Sequence, residues 1–413
     1  MIRLAFENMS IGGISLMKNV EPKKEKKVEY LELIYDLIFV YVIGRNNLLM
    51  HHVTDGFVEK ELFIAYILCT LTVIQIWSFS TYYINMYGRN GLRDHILLFI
   101  NMYLLYFIGK GTRINYAPYE TEHHIAWGLI LVNLGVQYFI EMRNHKDEPA
   151  IRRQTLKLGI VIITEALLVF ITVPFYDAFG VNLVPYAILF GMLGTMVQGF
   201  RAEVILVDFA HLTERMMLYI VFTFGEMIIT LADYFEGGIS ANTIYFSLMG
   251  FLIVAGLFLS YETIYDRLID READNGGLLY ILLHIVLIFA LNIITISLDY
   301  MQNTAVSLWP KMWLLIIGFL MYYAALFCTL RYSKAACTHG KKLFAALGAA
   351  AVCFAILMIT LREFNAVHIA LTTGFVFGIW LVLFKFSRGT RNRPNVIKLG
   401  FSSPSSIFTH VVV

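Results

Sequence analysis

Charge is scarce in this chain of 413 residues: 15% are Asp, Glu, Lys or Arg, against roughly a quarter in ordinary soluble proteins. With 58% apolar residues and a mean hydropathy of +0.68, the composition excludes a soluble globular protein. Cysteine is scarce too. Cys69, Cys328, Cys337 and Cys353 show no CxxC spacing, which argues against a disulfide scaffold or a zinc site. The adjacent pairs His51-His52 and His123-His124 read as outside loops. Neighbours on a helix point about 100° apart and chelate poorly, so no metal is expected. The chain carries no Walker loop, no GxGxxG leading from a strand and no GxSxG elbow, so no cofactor is expected and nothing suggests nucleotide chemistry. No signal peptide precedes the first apolar run, which follows a lysine cluster; Met17 is an alternative start that would leave residues 1–16 outside the mature chain.

What is abundant is apolar sequence in long runs. A membrane-spanning helix needs roughly 20 mostly apolar residues, and twelve runs qualify: 32–49, 61–84, 94–109, 123–141, 155–174, 183–200, 212–231, 244–264, 278–298, 311–330, 343–361 and 366–386. The third is short and the first carries acids. The expected fold is an all-α polytopic membrane protein. With the N-terminus in the cytoplasm, the inside segments hold 26 Lys and Arg and the outside segments 6. That bias favours twelve spans in the inner membrane with both termini cytoplasmic. The basic segment Arg388 to Lys398 reads as charge facing lipid headgroups, not nucleic acid.

Shifting the first six runs by about 179 residues lands them on the last six. The expected organisation is a segment 1–31, a six-helix half 32–200, a second half 201–386 and a tail 387–413. Six is even, so the halves would share one orientation about an axis along the membrane normal.

Acids inside apolar helices are costly and therefore informative. Glu32 and Asp36 lie four residues apart in the first run and share one helix face. Acids in a first turn complement the helix dipole. Facing inward instead, such a pair would hold a cation or share a proton and titrate as a unit. In the seventh run Arg215, Tyr219 and Glu226 fall along one stripe, with His211 and Glu214 at its start. Glu226 lies eleven residues beyond Arg215, about 16 Å deeper along the axis. It must be protonated, paired or beside water, and is the expected deep proton or ion site. Arg215 is the expected orienting or gating base for Glu32, Asp36 or Glu214, with His211, Tyr219 and Asp208 extending the network. Glu165 and His284, each alone in an apolar run, read first as packing residues.

These acid-bearing stretches resemble the bacterial low temperature requirement protein A (LtrA) family. Its opening helix, like Glu-Leu-Phe-Phe-Asp-Leu-Val-Phe-Val, stands here as Glu32-Leu-Ile-Tyr-Asp36-Leu-Ile-Phe39-Val40. Its His-x-x-Glu-Arg and Leu-Gly-Glu patterns correspond to His211-Leu-Thr-Glu214-Arg215 and Phe224-Gly225-Glu226. Its Trp followed by Tyr-Ala-Asn-Arg-Phe-Asp matches Trp77 and Tyr83-Ile-Asn85-Met-Tyr87, with Gly88 in place of the last aspartate. The Trp-Trp-x-Tyr-Phe-Asp of its eighth helix is only echoed by Phe258-Leu-Ser-Tyr261-Glu262. The resemblance spans most of the chain and is weakest over the last third. It implies a multi-pass bacterial membrane protein associated with growth at low temperature and leaves the mechanism open.

The residues favour a proton- or cation-coupled secondary transporter whose substrate or coupling ion binds between the lead helices of the halves. Its expected partners are membrane lipids and an unidentified small solute or ion, with self-association left open. A lipid-modifying enzyme using Glu226 or the Glu32–Asp36 pair is one alternative; the lack of a nucleophile, metal set or phosphate loop counts against it. A non-catalytic scaffold or sensor, in which the charges only fix helix packing, is the other.

Overall fold

The computed structural model describes residues 26–111, 120–273, 276–334 and 341–391. The alternative start at Met17, Lys18, Lys23, Lys24, Arg113, Cys337 and the tail from Asn392, with Arg393 and Lys398, lie outside the described residues. Among the described residues twelve α-helices follow one another: α1 (Tyr30–Asn47), α2 (Lys60–Tyr87), α3 (Leu92–Gly111), α4 (Glu120–Asn144), α5 (Pro149–Phe179), α6 (Val184–Phe200), α7 (Phe209–Ala232), α8 (Ala241–Arg267), α9 (Leu278–Asp299), α10 (Leu308–Cys328), α11 (Lys341–Thr360) and α12 (Asn365–Arg391). The chain is an all-α multi-pass membrane protein. Among the described residues, eleven of these helices are long and apolar enough to cross a membrane.

The short helix is not where the sequence suggested. The third run extends through polar ends into the 20 residues of α3, whereas α6 stops after 17, about 26 Å of rise. Most other helices also outrun their apolar cores at one or both ends, because polar residues continue the backbone ladder past the hydrocarbon.

Local chemistry sets several ends. Pro149 opens α5, and Gly180 closes it in the left-handed conformation, φ 68°, its N–H bonded to the Tyr176 carbonyl. Asp208 caps α7 by accepting from the His211 N–H at 3.1 Å. Ser240 and Thr243 form a reciprocal capping box on α8. A small hairpin, β1 (Val53–Thr54) and β2 (Phe57–Val58), turns through Asp55 and Gly56, both at positive φ.

The helix neighbours recur six helices later. α1 packs on α2 and α3, and α7 on α8 and α9. α4 lies against α3 and α5 as α10 lies against α9 and α11, and α2 meets α6 as α8 meets α12. α1 crosses α7 directly. On α1 the polar side faces in: Glu32, Asp36 and Asn46 are buried, while Ile34, Leu37 and Tyr41 are about half exposed. Apolar outward and polar inward is the arrangement expected where the solvent is lipid.

Candidate functional site

Helical spacing puts Glu32 and Asp36 of α1 one turn apart on its inner face, and His211, Arg215 and Tyr219 of α7 on a matching stripe. Where the two helices cross, these residues meet. The Arg215 guanidinium forks onto Asp36, donating from Nη2 to Oδ1 at 2.9 Å and from Nε to Oδ2 at 3.3 Å. Its Nη1 lies 3.1 Å from Glu32 Oε2, and His211 Nε2 lies 3.3 Å from the same oxygen. Asp36 and Arg215 are fully buried. A two-point fork of this kind is among the strongest ionic contacts proteins make, and removing one member of a buried pair typically costs about 3–5 kcal/mol.

α2 supplies the supports. Trp77 donates from Nε1 to Asp36 Oδ1 at 2.7 Å, and its ring stacks on Tyr219 at 4.2 Å. Asn85 holds the start of α7 from both sides, accepting from the Asp208 N–H and donating to the Asp208 carbonyl, each at 2.9 Å. That fixes its amide, so the Nδ2 that lies 2.9 Å from His211 Nδ1 is a donor. His211 must therefore accept at Nδ1 and present its hydrogen on Nε2 to Glu32.

Both contacting pairs are 179 residues apart: Glu32 with His211, and Asp36 with Arg215. This is the same offset that superposes the two sets of six apolar runs. The chain sets acids on α1 against bases on α7.

One end of the cluster faces open space. We call the face of the bundle where α1 begins the near face. A cavity of about 500 Å³ opens there, lined among others by Lys26, Glu29, Glu32, Tyr83, Arg89 and Asp94. Glu32 is thus the member at the vestibule wall, and Asp36 is sealed behind it. Lys26 closes the end of α2: its ammonium donates to the carbonyls of Ile84 and, at 2.9 Å, Gly88. Burial pulls its pKa below the ordinary lysine value, with Glu32 opposing that shift.

Not every expected residue joins the cluster. Glu214 lies within electrostatic reach of Arg271 rather than against Arg215. Glu226 makes no ion pair within 4 Å among the described residues; its carboxyl packs over Gly44 of α1, where an added Cβ would overlap it. Tyr83 lies on the vestibule wall. Two features escaped the sequence reading. Lys26 counted there only as a basic flank, and Glu141, at the end of an apolar run, is buried and bound by Arg93 at 2.8 Å. The nearest signal was the clustering of Arg89 and Arg93 just before Asp94, which opens the third run. His123 and His124 are not loop residues: both lie buried in the first turn of α4. His284 is satisfied within the core, bonded to the Tyr261 hydroxyl at 3.0 Å and the Tyr280 carbonyl at 2.9 Å.

The family model described as bacterial low temperature requirement A protein (LtrA) matches residues 27–377, a stretch that contains every residue of this cluster except Lys26. No curated protein matches the chain.

Proposed function

The chain belongs to the bacterial low temperature requirement A (LtrA) family, and we propose that it is a proton- or cation-coupled secondary transporter of the inner membrane, built from two six-helix halves with both termini in the cytoplasm. The observation that supports this is the buried set Glu32, Asp36, His211 and Arg215 between α1 and α7, with one carboxylate at the wall of an open vestibule. Two carboxylates share one guanidinium, so the site can take one further positive charge without displacing Arg215. A proton or cation arriving at Glu32 weakens its hold on Arg215 Nη1 and leaves Arg215 to Asp36 alone. That change loosens the near ends of the lead helices, and coupled transporters use such rocking of one half against the other. Transport of this kind would link the protein to growth in the cold through solute or ion balance.

The test is flux. The full-length protein is reconstituted in liposomes holding a pH-sensitive dye, and Na⁺ or K⁺ gradients are imposed. Wild type should move protons or exchange them for a cation, and Glu32→Gln should lower the rate at least tenfold while remaining folded. Glu226→Gln in the same assay tests whether the deeper acid takes part. No flux for any of these ions with folded wild type would sink the proposal. It would favour a second reading, a membrane scaffold in which the cluster only locks α1 to α7, for which the complete burial of Asp36 and Arg215 speaks.

A further inference from the structure

α7 starts at the near face, α8 returns to it, and α12, packed along α8, ends beside it. There Arg267 of α8 and Arg388 of α12 both set their guanidinium carbons against one ring, Phe384, at 4.6 and 4.7 Å from its centre. The two charges are therefore no further apart than about 9 Å, close to the screening length of about 8–10 Å in physiological salt. Among the described residues neither guanidinium makes an ion pair. Arg388 makes no hydrogen bond there either, and Arg267 makes one long one, from Nη1 to Ser387 Oγ at 3.5 Å. Glu262 and Asp266, the nearest acids along α8, come within 4 Å of no base among the described residues. α12 carries no acid at all, and Lys385 adds to the positive charge of its last turns.

One such arginine would need no explanation. A cation in the last turn of a helix complements its dipole, and its apolar stem lies along the membrane edge while the charge reaches water. Two on one ring are different. The ring attracts both cations but has no lone pair to accept their N–H groups, so two like charges sit together with their donors unspent. A phosphate is the group such guanidinium forks hold best. Below Phe384 the rings continue: Trp380 lies 5.6 Å from Phe384 and Phe377 6.0 Å from Trp380. Phe377, Trp380, Phe384 and Arg388 are three and four residues apart and share one helix face. The eleven residues from Phe377 to Arg388 rise about 16 Å, roughly half of the 30 Å hydrocarbon core. The aromatic stripe is thus as long as one leaflet. Its rings are half-buried, with Leu381 and Val382 exposed beside them.

We propose that this seam of α8 and α12 is a binding site for one anionic phospholipid, its phosphate held between Arg267 and Arg388 and an acyl chain laid along Phe384, Trp380 and Phe377. The paired guanidiniums call for an anion, and the leaflet-long stripe beneath them selects a lipid over a free phosphate. The site does not depend on the transport reading, because α8 and α12 meet away from the α1–α7 cluster.

The experiment is native mass spectrometry of the purified, delipidated full-length protein offered equal amounts of phosphatidylglycerol and phosphatidylcholine with the same acyl chains. Wild type should retain one phosphatidylglycerol in preference to phosphatidylcholine. Arg267→Gln and Arg388→Gln, both at exposed positions where folding is not at stake, should each lower that preference at least tenfold. Phe384→Leu, which keeps both charges and removes the ring that sets them together, should lower it too. Arg152→Gln, which takes an exposed charge from α5 on the same face, should leave it unchanged. Equal retention of the two lipids, or as large a loss in Arg152→Gln as in Arg388→Gln, would overturn the site. Displacement of the lipid by excess inorganic phosphate would show a site for the free anion and overturn the assignment to lipid.

Discussion

α2 and α8 occupy matching slots, each packed on the lead helix before it and on the last helix of its set of six. Their buried sides differ sharply. Where α2 carries Gln75, Trp77, Ser78 and Asn85, positions 179 residues later on α8 are Val254, Gly256, Leu257 and Ile264. The polar helix borders cavities and reaches into the ion cluster. The apolar one closes on its neighbour: a Cβ on Gly256 would lie 2.5 Å from Val376 of α12. The crevice beside α8, lined by Phe354, Leu371 and Phe375 among others, has no charged residue on its wall. A shared pattern of helix contacts therefore does not carry a shared chemistry. One helix set holds the polar spaces, while the other contributes His211 and Arg215 and otherwise packs.

The largest expected effect is at the cluster that joins the two sets. Arg215→Met leaves two carboxylates facing each other and should cost about 3–5 kcal/mol of stability, read as a lower unfolding temperature in detergent. The double variant Asp36→Asn with Arg215→Met should lose less than the two single losses combined, because the partners share one interaction. Near-additive losses would mean that the fork does not hold α1 to α7. A paired substitution sharpens the contrast between the second helices. Gly256→Leu should overpack α8 against α12 at about 1–3 kcal/mol, whereas Ser78→Leu, facing a cavity on α2, should cost under about 1 kcal/mol. Equal losses by thermal unfolding would erase the distinction. Trp77→Phe removes the indole donor to Asp36 and should cost about 1–3 kcal/mol, with Tyr219 stacking retained.

The smallest effect concerns Lys26, whose pKa lies below the lysine value of 10.5 in the folded protein. Between the lowered value and 10.5 the unfolded chain binds the proton better, so this residue's contribution to stability rises with pH and levels off above the window. Relative to Lys26→Gln, wild type should gain stability over that alkaline range. A flat difference would show that the ammonium pays no burial penalty.

Much of this was legible in the sequence. Apolar run length marks spanning helices almost directly, because lipid demands about 20 apolar residues and a satisfied backbone. The four-residue spacing within Glu32–Asp36 and within His211–Arg215 put each pair on one helix face. Which faces meet was not legible. Arg215 had three acids within reach of its sequence neighbourhood, and only the crossing of α1 over α7 selects Asp36 and Glu32 and leaves Glu214 aside. Glu226 looked like the deepest working acid because depth can be counted along one helix, but its contact with Gly44 belongs to another. Glu165 looked like a solitary packing residue for the same reason: Gln75 and Gly191, which share its site, lie far away in the chain.

By itself, then, the sequence determined the solvent, the number of helices and the side of each helix that could not face lipid. These follow from composition and local periodicity, where each residue's cost depends on its immediate neighbours. The tertiary structure decided which polar sides meet, which carboxylate faces a vestibule and where space remains between helices. Those outcomes depend on crossings between segments 40 to 180 residues apart, as in Trp77 with Asp36 and Arg215 with Asp36, and no local pattern encodes such a crossing.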